Sequence, residues 1–150
     1  MVLMTDRLTP FAEMAALDHG LVVLSMLRAD GSVAAAVVNA GVLQHPLTGE
    51  QVVGLVARGL RKLEHLRADP RATVVARAGW RWAAVEGNAE LFGPDDPHPE
   101  IDGDALRRLL RDVFVAAGGT HDDWDTYDRT LAEERSAAVL IAPRRTYPTT

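Results

Sequence analysis

Residues 21–43 read LVVLSMLRADGSVAAAVVNAGVL. Two apolar stretches flank Asp30-Gly31, and that dipeptide between such stretches signals a hairpin, because the turn needs backbone angles that glycine adopts freely. The unbroken, β-branched run Leu21 to Leu27 predicts a buried strand. Val33 to Leu43, rich in alanine, predicts its return partner. A chain that doubles back over so few residues pairs antiparallel.

Working outward, the pattern recurs. Pro46, Thr48 and Gly49 predict a second turn, and Gln51 to Ala57 a third strand. Ala72 to Ala78 and Trp80 to Phe92, separated by Gly79, predict a fourth and a fifth; Ser136 to Ala142 predicts a last one before Pro143. Helices are expected from Thr9-Pro10 to His19-Gly20, over Gly59 to Ala68, from a cap at Asp104 to Gly118-Gly119, and over Asp122 to Glu134. Asp69-Pro70 stops the second of these. Leu106, Leu109, Leu110, Val113 and Phe114 give the third an apolar stripe at helical spacing. About six strands joined mainly by hairpins predict an antiparallel sheet, and closure into a small barrel removes its edges. The expected class is mainly β (α+β), a six-stranded antiparallel split barrel with peripheral helices, in one domain spanning 1–150.

The totals narrow the function. Sixteen Lys and Arg against twenty-one Asp and Glu give a net charge of −5. An acidic total argues against a general nucleic-acid binder, which needs a broad basic surface. No apolar run approaches the ~20 residues of a membrane-spanning helix. Cysteine is absent, so there is neither a disulfide framework nor a thiolate nucleophile. The expectation is a cytoplasmic protein with no nucleic-acid or membrane partner. Neither GxGxxG nor GxxxxGK[ST] occurs, the five histidines have no paired ligand spacing, and no serine sits in a GxSxG elbow. Asp122, Asp123, Asp125 and Asp128 lack a calcium-loop spacing and fit the acidic opening of a helix. No metal is expected.

One segment departs from the acidic average. Residues 58–71 hold Arg58, Arg61, Lys62, Arg67 and Arg71 against Glu64 and Asp69, and Lys62 is the only lysine in the chain. On a helix starting near Gly59, Arg58 and Lys62 share a side, while Leu60, Leu63 and Leu66 take the other. Free N–H groups of the first turn, the positive helix end and two cationic side chains would together hold a phosphate. Lysine offers a compact charge and arginine a planar fork, and glycine lets backbone approach closely. The same pattern also fits an amphipathic surface helix with solvated arginines.

The run ARG-x-x-K-x-x-x-L-R-x-D-P-R (Ala57 to Arg71), the preceding RADGS, the strand GWRWAAVEGNAELF and the late RSAAVLIAPRRTY together resemble the pyridoxamine-phosphate-oxidase-like split β-barrel flavoproteins. The likeness is strongest to the actinobacterial branch that uses the deazaflavin coenzyme F420, and it covers roughly residues 8–147. It implies a homodimer that binds F420, or FMN in the alternative, at the subunit interface and transfers hydride from the reduced deazaflavin to a small organic acceptor. A non-catalytic flavin or tetrapyrrole carrier is the other reading of the same barrel. Carried over by position, Arg58 and Lys62 would grip the cofactor phosphate, with Gly59 allowing close approach and Ala57 beside it. Val38 and Asn39 would lie along the ring system, and Trp80 and Trp82 near the ring or the subunit boundary. Leu60, Glu64 and His65 depart from the family pattern, which removes one charge from the grip. No protein side chain is assigned to catalysis, because in such enzymes the cofactor carries the hard chemistry.

Overall fold

The computed structural model describes residues 7–58 and 60–148. Helix α1 (Thr9–Leu17) leads into β1 (Leu21–Leu27), β2 (Val33–Gln44) and β3 (Gln51–Ala57). Then come α2 (Leu60–Ala68), β4 (Arg71–Ala78), β5 (Arg81–Phe92), α3 (Gly103–Ala116), α4 (Trp124–Glu133) and β6 (Ala137–Tyr147). The six strands close in the order β1-β2-β3-β6-β5-β4, every pair antiparallel. This is the expected six-stranded antiparallel barrel.

Strand periodicity decides what each face meets. In β3, Val53, Leu55 and Ala57 point into the barrel while Val52 packs outside under α3 and α4; in β6, Ala137, Val139 and Ile141 point in, Ala138 and Leu140 out. Both strands are covered on two sides, which is why their sequences read as unbroken apolar runs. Phe11 and Met14 of α1 and Leu63 and Leu66 of α2 complete the inner cluster.

Strand β1 has equally apolar sequence and a different fate. Val22, Leu24 and Met26 are buried, but Leu21 and Val23 remain 38% and 41% exposed. The expectation of a buried strand is corrected within this chain: among the described residues the outer face of β1 stays largely uncovered at Leu21 and Val23. Register extends that face sideways. Val23 pairs with Val37 of β2 and Val75 of β4, and Val75 pairs with Ala84 of β5. An apolar row therefore crosses four strands; Val37 within it is 67% exposed, and Trp82 beside it is 48% exposed.

Smaller differences have local causes. The cap of α3 is Asp102, whose side chain accepts from the Ala105 N–H at 2.8 Å; Asp104 lies in the first turn instead. Helix α4 begins at Trp124 because Asp123 caps it through the Thr126 N–H at 3.1 Å. Trp80 sits in the β4–β5 turn and is 99% exposed, so β5 starts at Arg81. Strand β6 runs past Pro143 to Tyr147, because a register shift opposite Glu86 and Gly87 absorbs the proline at a bulge.

Candidate functional site

The basic segment separates into spent and free charge. Arg67 forms a double hydrogen bond to Asp96, at 2.8 and 2.6 Å. Arg71 does the same to Asp69, at 3.0 and 2.7 Å, and holds that carboxyl below its usual range. The first pair ties α2 to the loop after β5; the second is local to the exit of α2. Arg58 has only a loose contact with Glu134, at 3.7 Å across a solvent-exposed pair. Lys62 and Arg61 have no ion-pair partner among the described residues.

Arg58 and Lys62 line a cleft of about 460 Å³ together with Val38, Asn39 and His19. Its other wall is the end of α3 and the following turn, Val113, Phe114 and Ala117 to Gly119, with Val56 at the base. The volume lies in the range of small-molecule sites, and the mixture of apolar wall with few polar groups is usual for them.

Each wall has a local reason for its position. Asn39 Nδ2 donates to the His19 carbonyl at 3.0 Å, which pins the α1–β1 corner to the cleft rim. His19 is held at φ 58° and Gly20 follows at φ 77°. At Gly20 a side chain would meet the Ala117 carbonyl oxygen at 2.2 Å, and at Gly41 one would meet the Ala116 carbonyl oxygen at 2.0 Å. Two glycines on the barrel thus allow the C-terminal end of α3 to lie directly on the sheet. Phe114 is braced from behind by Tyr127 at 4.9 Å, by Trp124 at 6.1 Å and by His121 at 6.3 Å between ring centres. Burial pushes the Tyr127 phenol up to about 12, with the Arg58 charge drawing it partly back.

Of the residues assigned from sequence, Val38, Asn39, Arg58 and Lys62 meet in this cleft. Ala57 is buried in the barrel core directly before Arg58. Trp80 and Trp82 do not line the cleft within one chain, and Gly59 lies outside the described residues. Sequence reading misses His19, Val56, Phe114 and the 117–119 turn. In sequence Phe114 belongs to the apolar stripe of its helix, and Gly118-Gly119 to a helix stop. The nearest signal is that double glycine, which leaves an uncluttered rim as well as a terminator. Among the described residues no three His, Asp or Glu side chains are grouped to hold a metal. No helix there is long and apolar enough to cross a membrane.

No family model matches the sequence. Solved structures do match in three dimensions. The conserved hypothetical protein Rv2991 from Mycobacterium tuberculosis aligns with a TM-score of 0.61 at 22% identity, over 90% of this chain and 81% of the other. A pyridoxamine 5'-phosphate oxidase-related FMN-binding protein from Nostoc punctiforme aligns at 0.57 and 12%, over 96% and 80%. An F420 reductase aligns at 0.55 and 11%, over 84% and 87%. At these identities the likeness concerns the fold. The chain has the split β-barrel fold of pyridoxamine-phosphate-oxidase-like proteins.

Proposed function

We propose that this chain is a flavin-type oxidoreductase that binds reduced coenzyme F420, with FMN as the alternative, and passes hydride to a small organic acceptor. The observation that carries the reading is convergence: Arg58 and Lys62, lacking tight carboxylate partners, share one cleft with Val38 and Asn39. Similar solved structures that are named for FMN binding and for F420 reduction support it.

The residues present fit such a cofactor. Two cations at the start of α2 suit a phosphate, Arg58 as a fork and Lys62 as a point charge. Val38 and Val56 on one side and the glycine turn on the other leave an apolar slot for a planar ring, and Phe114, fixed by its aromatic neighbours, limits how far that ring can slide. When bound, the cofactor supplies the hydride. The chain's own work is to anchor the phosphate, orient the ring and exclude water from it, which accounts for the absence of any protein nucleophile or acid–base pair in the sequence motifs.

A second copy of the chain on the Leu21–Val23 end of the outer face of β1, over Val37 and Val75, completes the proposal. A contiguous exposed apolar patch marks an interaction surface, and the Val23-Val37-Val75 row begins beside Val38 and Asn39 at the cleft. Val37→Lys is expected to convert a dimer to monomer in sedimentation velocity; a monomeric wild type would remove this part of the proposal.

Titration of purified protein should quench deazaflavin fluorescence more strongly than FMN fluorescence. Arg58→Ala and Lys62→Ala should each weaken binding by about 1–3 kcal/mol, the scale of a hydrogen bond to a charged group. Failure of both cofactors to bind would overturn the reading. Binding without oxidation of the reduced cofactor by any of a panel of quinones, enones and tetrapyrroles would reassign the protein as a carrier.

A further inference from the structure

A second cleft, of about 410 Å³, lies at the other end of the exposed sheet face. Its nearest β2 residue is Val33, five positions from Val38, or ~17 Å along a strand. Three features of the chain shape it. The β1–β4 ladder runs only from Val23 to Ser25, so Met26 and Leu27 diverge from Ala72 and Arg71 and open a mouth. One cross-strand row is polar, Ser25 beside Thr73, Thr73 beside Glu86, and Glu86 beside Arg145. Last, Glu86 faces Arg145 but Gly87 faces Pro143, so Arg144 is the extra residue of the bulge. A bulge re-aims the side chain it carries, and Arg144 lines this cleft.

The charges there do not cancel. Arg71 is committed to Asp69, and Arg145 stands 3.6 Å from Glu86. Arg144 has no hydrogen-bond or ion-pair partner among the described residues, nor do the hydroxyls of Ser25 and Thr73. Three guanidinium groups thus meet two carboxylates, leaving one positive charge beside two unengaged hydroxyl donors. Leu27 and Val33 supply an apolar wall next to them.

We propose that this cleft binds a small amphipathic anion, its oxyanion on Arg144 with Ser25 and Thr73 donating, its apolar body on Leu27 and Val33. A guanidinium fork matches two oxygens of one head group, so a carboxylate or a phosphoester satisfies the same donors. The site is separate from the Arg58–Lys62 cleft and does not depend on what that cleft holds.

Amide NMR of the full chain, titrated with benzoate, phenyl phosphate and neutral benzyl alcohol, tests it. Benzoate or phenyl phosphate should give saturable shifts at Thr73, Gly87 and Asn88, whichever binds tighter identifying the head group. Benzyl alcohol should give none there. Arg144→Gln should weaken binding at least tenfold, and the less intrusive Thr73→Val severalfold. Arg58→Gln with Lys62→Gln should leave these shifts unchanged. Equal response to benzyl alcohol, undiminished binding in Arg144→Gln, shifts confined to Asn39 and Gly118, or no shifts at all would each overturn the assignment.

Discussion

Gly41 shows how closely one helix end rests on the barrel. A methyl group there would lie 2.0 Å from the Ala116 carbonyl oxygen and 2.2 Å from its carbon, both backbone atoms that cannot turn aside. Gly41→Ala is expected to cost about 1–3 kcal/mol, the range for overpacking a tight contact, as read from urea denaturation. It should also loosen the cofactor cleft, because Ala117 and Phe114 would lift with the helix. Ser136 is the opposite case. Its hydroxyl is buried and has no hydrogen-bond partner, and an unsatisfied buried polar group costs ~1–3 kcal/mol. Ser136→Ala should therefore raise stability by roughly 1 kcal/mol in the same measurement. Neither effect is legible from sequence. Gly41 reads only as one residue in a strand and Ser136 as the opening of another, because a close approach between residues 75 apart leaves no local pattern.

Helices α3 and α4 act as a pair that holds the cleft wall. Arg111 donates to Asp128 at 3.0 Å and lies 5.2 Å from the Trp124 ring, and the Tyr127 hydroxyl donates to the Leu110 carbonyl at 3.1 Å. Tyr127→Phe removes that last bond and should cost about 1 kcal/mol near neutral pH. The pH dependence distinguishes it from a simple packing loss. The native phenol keeps its proton up to about 12, whereas an unfolded tyrosine releases its proton near 10. The native state then binds more protons than the unfolded state between those values, so stability falls as pH rises through that window. Wild type should show this decline and Tyr127→Phe should lack it, as followed by chemical denaturation from about pH 9 to 12. Both helices are readable from periodicity and breakers. The aspartates around Trp124, read as a helix opening, do cap it and bind Arg111. The role of Phe114 in a cleft is hidden, since an aromatic at helical spacing looks the same in a core and in a site wall.

Across the molecule, carboxylates held by hydrogen bonds respond to acid, one of them in an ion pair between residues 40 apart and two in local contacts. Hydrogen bonds from Arg135 hold Asp95 below its ordinary range, those from Arg71 hold Asp69 down, and those from Thr126 do the same for Asp123. A carboxyl depressed in the folded state stabilises the protein fully above its unfolded value of 3.8 and ceases to as pH falls through the lower native value. The urea midpoint should hold from neutral pH down to about 5 and then decline below about 4. Asp95→Asn should shrink that acid-induced loss, and an unchanged slope in this variant would assign it to other groups. At this scale the sequence alone determined the antiparallel strands, their hairpin order and the closed barrel, because alternation, turn residues and helix breakers are local properties. It also picked out the segment that carries the free cations, through composition. Only the tertiary structure decided which of those cations were already neutralised, that β1 keeps an uncovered apolar face, and that α3 forms the far wall of the cleft. Those outcomes depend on which surfaces meet once the chain has closed, and no stretch of sequence contains both partners of such a contact.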